Sequence, residues 1–316
     1  MQSTQHISSS SGSGQSKRLR VLSFNIRFDN PADGLNRWSH RRERVRNLIR
    51  WHRPHLLGLQ EVLHSQLRDL AEALQGEGGG GPCYEWYGVG REDGQSKGEY
   101  CPIFYRKDRF ELHQSEAGSF ALSETPERIG SKSWNTACPR ICSYVVLKDR
   151  KTGRLVLFFN THLDHRSAQA RCKGAELIVQ TASGLYHNFH QRSPSSLPPV
   201  VIITGDMNVP EEDAVVQKVF CSSASSLSLV NARERSLWRH GCSGSFTGFD
   251  PQQRTIEEQG DEATNRRNLI DHIFVSNEEK ELEGVKVLSY AVLPDHYDGK
   301  YVSDHRPVAV DLLLSC

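Results

Sequence analysis

The sequence predicts a layered α/β fold built as one domain from residue 19 to residue 316. Three observations predict it. Apolar runs with the alternation or β-branched continuity of strands keep alternating with stretches of helical periodicity. No long linker interrupts them, and 37% hydrophobic against 24% charged residues supplies a large core in a 316-residue chain. The balance of 39 Lys+Arg against 38 Asp+Glu, a formal charge of +1, excludes a polybasic chain that acts by coating nucleic acid. Eight cysteines without a CxxC pair predict reduced thiols. Cys138 and Cys142 are four apart, but no second His/Cys pair follows at zinc-site distance. No run reaches the length of a membrane span. Met1 to Gly14 is Ser/Gly/Gln-rich and lacks the apolar segment of a secretory signal. Residues 1–18 are therefore expected to be a disordered tail, and the protein cytoplasmic and monomeric.

In chain order, Arg20 to Ile26 alternates with period two and predicts a strand. Arg41 to Trp51 carries Val45, Leu48 and Ile49 at helical spacing, and Pro54 closes that helix. His55 to Gln60 fits a short buried strand, and Leu67, Leu70, Ala71 and Leu74 mark a second helix before the loop Gly78 to Pro82. Strands are predicted at Tyr84 to Val89, Ile103 to Tyr105, Ile141 to Leu147 and Leu155 to Asn160, the last two joined by a hairpin turn ending in Gly153. A helix from Ser167 to about Tyr186 carries Ala170, Ala175, Leu177, Ile178 and Leu185. After the Pro/Ser loop Ser193 to Pro199, the β-branched run Val200 to Thr204 reads as a buried central strand. Leu269 to Val275, Val285 to Leu293 and Val308 to Leu314 supply three more.

The informative residues stand where these runs end. Asn25, Glu61, His162 with Asp164, Asp206 with Asn208, Asp271 with His272, and Asp304 with His305 each terminate or flank an apolar run. Strand ends are where ligands collect in open α/β sheets. Asn25, Glu61, Asp206, Asn208 and Asp304 offer hard oxygen donors, a set suited to Mg²⁺ or Mn²⁺ completed by phosphate oxygens. His162 and His305 can stabilise or protonate phosphate oxygens, Asp271 can fix an imidazole tautomer, and Asp206 can activate water. The chemistry these groups imply is metal-assisted attack of water on a phosphoester.

Six motifs then stand in a specific order: Ser23-Phe24-Asn25-Ile26-Arg27, Leu59-Gln60-Glu61-Val62, Asn160-Thr161-His162-Leu163-Asp164, Thr204-Gly205-Asp206-Met207-Asn208, Ile270-Asp271-His272-Ile273-Phe274-Val275 and Ser303-Asp304-His305-Arg306-Pro307-Val308. Together they resemble the signatures of the endonuclease/exonuclease/phosphatase family over residues 19–314. The resemblance implies a four-layer α/β sandwich like deoxyribonuclease I, two packed mixed sheets flanked by helices, with the site at one rim. It implies Glu61, Asn25 and Asp304 as metal ligands and Asp206 as the residue that orients or deprotonates water. Asn208 would hold the phosphate or a metal, His162 would contact the phosphate, and Asp271 with His305 would form a carboxylate–imidazole pair. Asp29, Asn30, Gly34, Trp38, Arg41, Arg42, Ser133-Trp134, Cys138-Pro139-Arg140, Asp164-His165 and Arg171 are similar to a subgroup near nocturnin and the carbon catabolite repressor deadenylases, without a leucine-rich repeat. Arg27 after Asn25 departs from the abasic-site repair enzymes.

Each residue also has an ordinary structural reading. Asn25 and Asn208 could form turns, Glu61 and Asp304 could cap helices, and His162, His165, His272 and His296 could be satisfied core histidines, His165 being the first of them to expect as an exception. Arg140, just before a strand, is a candidate phosphate clamp. The ordered set favours a divalent-metal phosphodiesterase, expected to be a nuclease acting on RNA or DNA with a free 3′ end, as a 3′-5′ exonuclease does, with Arg27, Arg37, Arg41, Arg42 and Arg140 as backbone contacts. A small-molecule phosphatase or phospholipid phosphodiesterase is the alternative, kept by the near-zero charge, and an inactive binding module stands third. Specificity is expected in the loops 30–39, 124–139 and 251–267.

Overall fold

The computed structural model describes residues 17–76, 81–192, 197–222, 227–241, 244–250, 267–277 and 284–315. Most of the predicted tail and of the 251–267 loop, and parts of the loops 78–82 and 193–199, lie outside them. The chain forms β1 (Arg18–Asn25), α1 (Trp38–His52), β2 (Leu56–Gln60), α2 (His64–Ala73), β3 (Tyr84–Tyr87), β4 (Ile103–Arg106), β5 (Phe110–Ala121), β6 (Ile141–Asp149), β7 (Leu155–His162), α3 (Ala168–Arg192) and β8 (Val200–Asp206). A π-helical turn, Val215–Phe220, precedes β9 (Leu229–Asn231), α4 (Ala232–Arg235), β10 (Trp238–Gly241), β11 (Asp271–Ser276), β12 (Val285–Val292), the small hairpin β13 (His296–Tyr297) and β14 (Lys300–Tyr301), and β15 (Val308–Leu314).

Two mixed sheets result, in the strand orders β10-β12-β15-β1-β2-β4-β3 and β5-β6-β7-β8-β11-β9. Their centres match: β1 runs parallel to β2 across α1, and β7 runs parallel to β8 across α3. Side-chain alternation distributes the layers. Val21, Leu56, Phe158, Ile202, Ile273 and Val310 fill the space between the sheets. Their neighbours Leu22, Phe24, Leu57 and Leu59 pack outward on Val45, Leu48, Ile49, Leu67 and Leu70 of α1 and α2. Leu157, Phe159, Val201 and Ile203 pack outward on Ile178 and Ala182 of α3. This is the four-layer α/β sandwich.

The sandwiched face turns polar toward one rim. Gln60 Nε2 donates to Asn160 Oδ1 at 2.7 Å and Asn160 Nδ2 to the Leu59 carbonyl at 2.7 Å, so two buried amides link the sheets. Gly58 is required there: a Cβ would sit 2.2 Å from Thr204 Oγ1 and 2.6 Å from Asn160 Oδ1.

The structure extends several predicted elements. β7 and β8 each run two residues further, to His162 and Asp206, and α3 continues to Arg192. β5, unpredicted, is an edge strand whose pairing with β6 shifts between Leu112 and Ala117, so its sequence shows no clean alternation. β10 is exposed throughout and carried no burial signal.

Candidate active site

The parallel pairs β1/β2 and β7/β8 end at the polar rim, and β11 and β15 begin there. In register, His162 pairs with Asp206 and Asp206 with Asp271, so three strand ends set these groups in one row. Glu61, Arg27 and Asn208, just beyond β2, β1 and β8, take left-handed backbone at φ 59°, 59° and 54°. Such conformations are strained for residues with a Cβ and concentrate at functional sites.

Asp206 is the hub. Its Oδ2 accepts from Asn25 Nδ2 at 2.9 Å and lies 3.5 Å from His162 Nε2 and 3.6 Å from His305 Nε2, while Oδ1 accepts the Asn208 N–H at 2.9 Å. His305 Nδ1 meets Asp271 Oδ2 at 2.8 Å, the carboxylate–imidazole pair. Asn25 Nδ2 also donates to Glu61 Oε1 at 3.0 Å, and the Phe28 N–H donates to Glu61 Oε2 at 3.2 Å. Ser303 Oγ donates to the Asn25 carbonyl and to Asp304 Oδ1, and Arg27 stands between two acids, 3.9 Å from Glu61 and 3.7 Å from Asp304.

Burial sets the protonation states. Loss of solvent, reinforced by Asp271, pushes the Asp206 carboxyl up to about 7. Burial, with Glu61 adding to it, also raises Asp304. Burial works against a charge on His305, yet Asp271 and Asp206 outweigh it and hold the imidazole well above its usual range. His162 is driven well below its usual range by burial and by Arg140. The cluster thus joins a neutral imidazole, an imidazolium and a carboxylate that gains or loses its proton near neutrality.

Glu61, His162 and Asp206 each bring one ligand atom within 4.8 Å of the others. The residues fit a divalent cation: the donors are hard oxygens with one imidazole, Asp206 and Asp304 are buried with Glu61 half-buried beside them, and Arg27 stands between Glu61 and Asp304 while His305 faces Asp206. The second cluster, Asp206 with Asp271 and His305, is occupied by its own hydrogen bond and reads as the imidazole pair.

The remaining candidates separate. Asn25 Oδ1 accepts the Arg27 N–H, and its amide nitrogen donates to Glu61 and Asp206, so it holds these acids in place. Asn208 lies in the site, with Nδ2 on the Leu163 carbonyl. Arg140 is buried in the cleft; its Nε and Nη1 have no hydrogen-bond partner among the described residues, and Nε lies 3.7 Å from Asp164 Oδ2 in an ion pair. His272 is a core histidine on the Val209 carbonyl. Glu61 caps no helix, since Gln66 closes the start of α2 on the Leu63 N–H, and Asp304 precedes a strand. Arg41, expected on a nucleic-acid backbone, is fully buried and donates to the carbonyls of Ile26, Arg27 and Val302, so it holds the loop after β1. Arg37 is paired with Asp29. Sequence reasoning missed Arg91 and Glu99, an ion pair at 2.6 Å on the cleft wall, and the rim rings Phe28 and Phe246. The ion pair lies in a loop between β3 and β4, away from any strand end, and left no signal.

A two-sheet sandwich with acids, amides and a paired imidazole at one rim defines a phosphoester-hydrolase scaffold. A profile of the endonuclease/exonuclease/phosphatase family matches residues 22–305, and the chain belongs to that family. Among solved structures it is similar to the endonuclease/exonuclease/phosphatase from Bacteroides vulgatus (TM-score 0.76, 30% identity, 94% of this chain and 99% of that one). It is also similar to a mannosyl-6-phosphatase from Bacteroides thetaiotaomicron (TM-score 0.75, 33% identity, 94% and 100%). The human nocturnin catalytic domain with bound sulfate shares the fold at 18% identity (TM-score 0.58, 95% and 94%). No curated protein sequence matches the chain. The protein is a metal-dependent phosphoesterase by family.

Proposed function

We propose that the protein is a divalent-metal-dependent phosphatase that releases phosphate from small hydroxylated phosphomonoesters. The observation that carries this reading is Arg140, buried in the cleft that His162 also lines, with Nη1 free of any hydrogen bond and Nε held only by a 3.7 Å ion pair with Asp164. A terminal phosphate carries two charges and three equivalent oxygens, and a desolvated guanidinium with spare donors suits it. The 33% identical mannosyl-6-phosphatase supports the same substrate class, as does the absence of a basic excess in the chain.

Glu61 and Asp304, with Asp206, would hold Mg²⁺ or Mn²⁺, and Asn25 would hold Glu61 and Asp206 toward it. The cation would neutralise phosphate charge and polarise the ester. Arg140, His162 and Asn208 bind and orient the phosphoryl oxygens. Asp206 orients the attacking water and takes its proton through the carboxylate oxygen that does not face the cation. His305, charged through Asp271, offers the positive charge that the transition state requires.

Nuclease activity is the second reading. It is favoured by Phe246, 39% exposed at the cleft and edge-on to the His305 ring, where a base could stack. Phosphate release from a panel of sugar phosphates, run beside labelled RNA and DNA oligonucleotides with Mg²⁺ and with EDTA, tests the assignment. Phosphate release that EDTA abolishes supports the phosphatase; oligonucleotide cleavage alone overturns it.

A further inference from the structure

His165 is the candidate that the catalytic cluster does not use, and its surroundings are built to hold it still. The preceding Asp164 accepts four hydrogen bonds, from Thr136 Oγ1 at 2.8 Å, Ala137 N at 3.0 Å, Arg166 N at 3.0 Å and Ser167 N at 2.7 Å. Arg171 donates to the Asp164 carbonyl and Ser167 Oγ to the Trp134 carbonyl. The loop 133–139 is thereby locked to the start of α3, which accounts for Asp164, Arg171 and Trp134 without assigning them chemistry.

On this turn, His165 is exposed and lines the cleft, and its Nδ1 lies 3.0 Å from an Arg140 guanidinium nitrogen. A guanidinium only donates, so Nδ1 accepts and the imidazole is neutral with its proton on Nε2. The remaining ring donor therefore belongs to a fixed tautomer. Its position follows from burial. Arg140 and His162, 5% and 7% exposed, are the buried part of the proposed phosphate site, and His165, exposed in the same cleft, lies nearer solvent. A group there meets the part of the ester that projects from the phosphate.

Resting on the phosphatase reading, we propose that His165 is a specificity-determining residue whose Nε2–H donates to a hydroxyl of the sugar-like alcohol portion of the substrate. A neutral donor beside the exposed mouth suits an uncharged hydroxyl oxygen, and Arg140 couples the two halves by gripping phosphate while fixing the tautomer that reads the alcohol.

The test compares the wild-type protein with His165→Ala and His165→Gln on a hexose 6-phosphate and on phenyl phosphate, which lacks hydroxyls. The readout is the ratio of the two kcat/KM values. His165→Ala is expected to lower that ratio about tenfold, the effect of one lost hydrogen bond, chiefly through KM for the sugar ester. His165→Gln, whose amide retains a donor at similar reach, is expected to restore most of it. An unchanged ratio, or equal losses on both esters, overturns the proposal, because His165 then acts only through Arg140 on the phosphate. Wild-type protein that cleaves oligonucleotides but releases phosphate from neither ester defeats the phosphatase reading itself, and this proposal with it.

Discussion

Asp206 shows how much of the site rests on the environment of one carboxyl. Burial and Asp271 hold its proton affinity near neutrality, and a cation can bind only the ionised form. Metal binding must therefore displace a proton below about pH 7 and need not above it. Isothermal titration with Mg²⁺ is expected to show weaker affinity and greater proton release at pH 6 than at pH 8; equal affinity would mean that Asp206 is ionised throughout. For turnover, Asp206→Asn is expected to lower kcat on the order of a thousandfold with the circular-dichroism spectrum unchanged, the range for a lost general base. The residue types of this cluster were legible in the sequence because each stands where an apolar run stops. Its roles were less so: Asn25 and Arg41 carry the same functional groups whether they bind a ligand or a carbonyl, and only their neighbours decide. Arg41 is fully buried on four carbonyls, those of Ile26, Arg27, Asn36 and Val302, a fate that its charge argued against.

At the scale of elements, the polar layer between the sheets sets the tightest constraint. Gly58 lies where Thr204 and Asn160 of the facing sheet leave no room for a methyl group. Gly58→Ala is expected to destabilise the fold by about 2–3 kcal/mol, as overpacking in a fixed interior does, measured by urea denaturation; a loss below about 0.5 kcal/mol would show that the sheets can part. A second constraint lies at the β6–β7 hairpin. Asp149, fully buried, takes both arms of Arg109 at 2.6 and 2.9 Å and closes its own turn on Lys151 N and Thr152 Oγ1. Asp149→Ala is expected to cost about 3–5 kcal/mol by leaving Arg109 charged and unpaired, and a thermal melt close to wild type would refute that. The hairpin itself was readable from Gly153, which takes φ 75°. The edge strands β5 and β10 were not, since a strand with one neighbour and a wet face needs no apolar period.

For the whole molecule, the family match and the sandwich make the site a meeting point of both sheets, so cation binding and folding are coupled. A cation that binds only the folded chain adds about 2.7 kcal/mol at a hundredfold excess over its Kd. Mg²⁺ is expected to raise the thermal midpoint of the wild-type protein and to leave that of Glu61→Gln unmoved, as differential scanning calorimetry would record. An equal shift in both would place the cation elsewhere. Among the described residues no helix is long and apolar enough to cross a membrane.

What the sequence by itself determined is the alternation of strands and helices, the six ordered motifs and the chemical character of the groups at the strand ends, because these depend on local periodicity and on residue type. The tertiary structure alone decided which arginines line the cleft and which are tied to carboxylates or carbonyls, that Asn25 holds carboxylates with its amide nitrogen, and that Arg140 donates to His165 Nδ1. Those outcomes depend on distances between residues far apart in the chain, which only the packing of one sheet on the other establishes.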